Sequence, residues 1–96
     1  GAGGAPGNGS DASARLQKLS DFFSAFLETK GYSIEVQEMT GFHRLVIGAE
    51  SGKLGLADLY AKKSGEYKID LRGFGEEAVR TALLRLWDEF TAAGML

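Results

Sequence analysis

The sequence contains no cysteine. That excludes disulfides, thiolate metal sites and a cysteine nucleophile, and it suits a reducing, cytoplasmic setting. There is a single histidine, His43, so no pair of imidazoles can build a transition-metal site. No apolar run approaches the ~18 residues of a membrane span, and no membrane partner is expected. The N-terminus lacks a basic start followed by an apolar stretch, so it does not read as a signal peptide. Nor is charge of one sign in excess. Eleven Lys and Arg face thirteen Asp and Glu, for a net charge of -2. That balance argues against a domain that grips a nucleic-acid backbone by net charge alone, although a local basic patch remains compatible with it.

What is present is one domain's worth of chain, 96 residues. Its 44% hydrophobic and 25% charged shares are those of a globular protein. A domain this size buries only roughly 60–65% of its unfolded surface. The core is therefore thin, and the chain is expected to lean on a partner or to belong to a larger protein. The first ten residues, GAGGAPGNGS, hold five glycines and nothing apolar larger than alanine. They read as a flexible leader, either an expression remnant or a natural linker, with a single domain over 11–96.

Beyond the leader the spacing predicts a helix. Asp11 or Ser13 can cap it, and Leu16, Leu19, Phe23, Phe26 and Leu27 recur at helical spacing. Lys30-Gly31 is a stop signal. Alternation then takes over at Tyr32, Ile34 and Val36. Thr40-Gly41 fits a two-residue hairpin loop. A second strand is expected over Phe42 to Ala49, a third over Lys53 to Lys62 and a fourth over Glu66 to Arg72. Glu50-Ser51-Gly52 and Lys63-Ser64-Gly65 fit three-residue loops with glycine in the left-handed position. A final helix follows Gly73-Phe74-Gly75, with Glu76 and Glu77 in its first turn and an apolar stripe of Val79, Leu83, Leu86, Trp87 and Phe90. The expected fold is α+β, ordered α-β-β-β-β-α. Its four strands form an antiparallel meander, and both helices pack on one face.

Loop length fixes register, and register fixes which side chains share a face. These loops place Ile34, Val36, Leu45, Ile47, Leu59, Ile69 and Leu71 on the helix-covered side. Gly55 and Ala57 would leave room there for rings such as Phe23 and Trp87. The opposite face then carries three rows across the sheet: Met39, Phe42, Tyr60, Lys68; Gln37, Arg44, Asp58, Asp70; and Glu35, Val46, Leu56, Arg72, with Leu54 beyond. Two helices leave nothing to cover it. A solvated sheet face is expected to be mostly polar, and this one carries Met39, Phe42, Tyr60, Val46, Leu54 and Leu56.

No residue set points to catalysis, and no cofactor is expected. His43 is expected at the surface or half-buried beside Glu38. Asp58 and Asp70 are a paired-carboxylate candidate for acid–base or magnesium chemistry, but Arg44 lies across from Asp58 and the face is flat. They read as a charge-compensated surface cluster. Gly73 and Gly75 match neither a dinucleotide loop nor a P-loop.

Two functions fit the open face. The first is a non-enzymatic interaction or self-association module, binding a protein partner or a second copy through Met39, Phe42, Val46, Leu56 and Tyr60, with Arg44 and Arg72 at the polar edge. The alternative is a single-stranded nucleic-acid-binding module in which Phe42 and Tyr60 stack bases while Lys62, Lys63 and Lys68 meet phosphates. The helix–strands–helix order is similar to that of the double-stranded RNA-binding domain. That family has three strands and a basic cluster at the start of its last helix, where this chain has Glu76 and Glu77. The similarity covers element order alone and carries over no residues.

Overall fold

The computed structural model describes residues 8–94, so residues 1–7 of the leader lie outside it. Helix α1 (Asn8–Thr29) is followed by β1 (Ser33–Met39), β2 (Phe42–Ala49), β3 (Gly52–Ala61), β4 (Tyr67–Arg72) and helix α2 (Glu77–Ala92). The strands form one antiparallel sheet in the order β1-β2-β3-β4. This is the expected α+β meander. Helix α1 starts earlier than its expected cap and takes in Asn8 to Ser10. Once a turn has nucleated, each added residue gains a hydrogen bond, so a helix extends beyond its apolar stripe.

The stripe of α1 does what its spacing requires. Leu19, Phe23 and Leu27 are fully buried, and Leu16 nearly so. They meet Leu45, Ile47, Ala57 and Leu59 from the two central strands and Leu83 and Phe90 from α2. Each such aliphatic or aromatic side chain gains about 1.5–3 kcal/mol by leaving water. Rings hold the two helices together. Phe23 lies 5.2 Å from Trp87, edge to face, and 5.1 Å from Phe90.

Helix α1 ends where Gly31 adopts a φ of 96°. The Gly31 amide donates to the Glu28 carbonyl and the Tyr32 amide to the Leu27 carbonyl. This paired closure needs a left-handed residue, and it aims Tyr32 back at the core.

Three expectations about the covered face need correction. Ile34 and Val36 do point to the core side, opposite Ile47 and Leu45. However, β1 is an edge strand, and Val36 remains 37% exposed. The space over Gly55 is filled by neither Phe23 nor Trp87 but by Phe74, whose ring atoms would stand 2.7 Å from an added Cβ. The β2–β3 connection is also shorter than expected. Ala49 pairs with Gly52 and Gly48 with Lys53, and the register then shifts so that Ile47 pairs with Gly55. Leu54 is the extra residue of this bulge. A bulge re-aims the chain locally, and Leu54 packs against the core cluster instead of extending the open face.

The lone histidine is sequestered too. His43 pairs with Glu38 across the strands as expected, yet it is only 7% exposed. Its Nδ1 lies 2.9 Å from Ser20 Oγ, and that hydroxyl donates to the Gln17 carbonyl. Ser20 is fully buried, so the pair is a satisfied polar contact between α1 and β2 that no substrate reaches.

Candidate functional site

The strand pairing reproduces all three rows of the open face. Met39 pairs with Phe42 and Tyr60 with Lys68. Gln37, Arg44, Asp58 and Asp70 form the middle row, and Glu35, Val46, Leu56 and Arg72 the third. Past the bulge the two readings of the β2–β3 loop share one register, so the shorter loop leaves these rows intact.

Two aromatic rings stand side by side in the first row, with a cation near each. The Phe42 and Tyr60 rings stack with centroids 5.2 Å apart and planes 26° from parallel. The Arg44 guanidinium lies 5.5 Å from the Phe42 centroid, and Lys68 Nζ lies 5.7 Å from that of Tyr60. Such cation–π contacts are worth roughly 0.5–1 kcal/mol at exposed sites. The stacked rings thus each have a cation beside them, Arg44 at Phe42 and Lys68 at Tyr60.

The middle row holds the larger departure from expectation. Asp58 was expected in a surface cluster, yet it is 1% exposed. Arg44 covers it as a fork, with Nε 2.8 Å from Oδ1 and Nη2 3.0 Å from Oδ2. Arg72 reaches diagonally from β4, placing its Nε 3.0 Å from Asp58 Oδ2 and its Nη2 3.4 Å from Asp70 Oδ2. The hydrogen bonds from Arg44 hold the Asp58 carboxyl below its ordinary value, outweighing the burial that would push it up; the charges of Arg44 and Arg72 act in the same direction. The same hydrogen bond raises the Arg44 guanidinium. Every Asp58 oxygen is therefore occupied by protein, and the paired carboxylates offer no open ligand set.

The third row supplies Val46 and Leu56, both half-buried, between Glu35 and Arg72 at the two edges. Met39 stands 40% exposed at the β1 end. None of Met39, Phe42, Val46, Leu56 or Tyr60 belongs to the core cluster under the helices. The structure thus brings together the apolar centre and both arginines of the expected interaction face. Lys68 joins Tyr60 on that face. Lys62 and Lys63 sit at the β3–β4 tip, where the Lys62 amide and the Glu66 carbonyl close the loop and the Lys62 carbonyl accepts from Arg15. Both tip lysines are exposed.

Sequence reasoning missed the diagonal reach of Arg72 into Asp58. The available signal was the alternation of base and acid along β4 beside Asp58, but diagonal contacts depend on side-chain reach and not on register alone. Among the described residues no helix is long and apolar enough to cross a membrane, and no three metal-ligating side chains cluster. No family model matches the chain, and neither any curated protein nor any solved structure resembles it significantly.

Proposed function

We propose that this domain is a non-enzymatic interaction module whose working surface is the open face of its sheet. One observation carries this reading. Met39, Phe42, Tyr60, Val46 and Leu56 share the face of the sheet outside the helix-covered core, with Arg44 and Arg72 held beside them by Asp58. Apolar and aromatic groups with arginine at their margin are the composition of interface centres. The bound Asp58 supports the reading as well, because it pins both guanidiniums and lowers the entropy lost when a partner docks.

The test is amide-shift mapping by NMR with small aromatic fragments at millimolar concentration. Shifts centred on Phe42, Val46, Leu56 and Tyr60 are the expected result. Shifts centred on the exposed Phe22 and its neighbours Ala25 and Phe26 on α1 would move the site to that helix.

A second reading, single-stranded nucleic-acid binding, draws on Lys62, Lys63 and Lys68 around Tyr60. It requires a base to displace Lys68 or Arg44 from a ring. For that reason the geometry favours the first reading. A mixed single-stranded oligonucleotide at low salt separates them: binding that weakens steeply with salt and disappears in Tyr60→Ala would put the second reading first.

A further inference from the structure

We infer that the occupant of the open face is a second copy of this chain, related by a two-fold axis that lies in the interface, parallel to the strands and between β2 and β3. The inference rests on the open-face reading and names its partner. Such an axis sets β1 over β4 of the other copy and β2 over its β3. Each row across the sheet then meets itself reversed.

The rows are complementary under that reversal. In the third row, Glu35 comes over Arg72 and Val46 over Leu56. In the first, Phe42 comes over Tyr60, and Met39 over the aliphatic stem of Lys68. In the middle row, Gln37 meets Asp70, and the two Arg44–Asp58 pairs, each already closed within its own copy, pass over one another in opposite directions. An isologous contact requires this self-complementarity. An axis across the strands, along the middle row, would instead set each strand over its own copy with the rows reversed, placing Arg72 over Lys68, Asp70 over Asp70 and Arg44 over Arg44.

Charge supports the same occupant. The face carries Arg44, Lys68 and Arg72 against Glu35, Asp58 and Asp70, so two copies approach without net repulsion. Glu35 has no ion-pair partner among the described residues, and the other copy supplies one.

Area sets the strength. Four strands about 4.8 Å apart, each rising about 3.3 Å per residue, present a footprint of roughly 400–500 Å² per copy. The pair therefore buries on the order of 1,000 Å², the low end for a specific interface. Aligned sheets also cross at about 30°, so the corners contact less well than the centre. The dimer is accordingly expected among the weak, transient interfaces.

Sedimentation equilibrium over ~10 μM to 1 mM tests this with two charge variants. Glu35→Lys sets lysine against Arg72, and Arg72→Glu sets two glutamates together; each alone weakens the dimer about tenfold or more. Mixed in equal amounts they form a heterodimer in which both contacts are again of opposite sign, and association returns. Should Arg72→Glu fail to fold, Leu56→Lys and Val46→Glu repeat the design at the centre. A dimer that mixing does not restore overturns the axis. A chain that stays monomeric to 1 mM overturns the second copy, while aromatic fragments bound at the open face would leave the interaction module standing.

Discussion

Asp58 is the residue whose environment has the most measurable consequence. Three guanidinium hydrogen bonds hold its carboxyl below the ordinary aspartate value. A depressed folded-state value contributes stability that is fully present above the unfolded value, about 3.9, and is lost as pH falls through the folded one. Asp58→Asn therefore costs about 1–3 kcal/mol at pH 7 and less at pH 3. Urea unfolding of both proteins at the two pH values checks this. Equal gaps between them would mean that the acid does not titrate with folding. Gly55 offers a second test at this scale. An alanine there drives its methyl into the Phe74 ring, and relieving such overpacking costs about 1–3 kcal/mol. The cost should shrink by at least about 1 kcal/mol when Phe74 is already alanine, which a double-mutant cycle measures.

At the scale of elements, β2 and β3 are paired on both sides and carry the buried Leu45, Ile47, Ala57 and Leu59. Strands β1 and β4 are edges. Hydrogen exchange should therefore be slowest in β2 and β3, with β1 opening first, because Val36 and Met39 leave it little apolar anchorage. Protection of β1 equal to that of β3 would contradict this. Much of this layout was legible in the sequence. Strict alternation combined with two-residue and three-residue loops allows few registers, and any slip by one would have turned Asp58 and Asp70 into the hydrophobic side. The bulge at Leu54 was not legible. A three-residue loop, and a two-residue loop followed by one extra residue, give the same pairing from Gly55 onward, so alternation cannot tell them apart. The depth of Asp58 and the Ser20–His43 contact were hidden for another reason. Each depends on side chains distant in sequence meeting in three dimensions, Ser20 and His43 being 23 residues apart.

For the whole molecule, the two ends of the sheet can be separated by experiment. Lys62 and Lys63 stand at the β3–β4 tip, beyond the outermost of the rows proposed to meet in the dimer. Exchanging both for glutamate should change stability by no more than about 0.5 kcal/mol and leave dimer sedimentation unaltered. If the tip instead served nucleic acid, the same variant would lose oligonucleotide binding, which a fluorescence titration at low salt reads directly.

The Asp58 cluster also decides which routes through sequence space are open to this chain. Replace Arg72 and the acid keeps the Arg44 fork, so Arg72 can drift; replace Arg44 and Asp58 Oδ1 loses its one hydrogen bond while still buried. Replace the acid and Arg44, only 26% exposed, loses its anion, whereas Arg72 keeps Asp70. Descendants should therefore vary at Arg72 while keeping Asp58 and Arg44, or lose all three charges in favour of apolar side chains, an exchange that is often neutral or stabilising once complete.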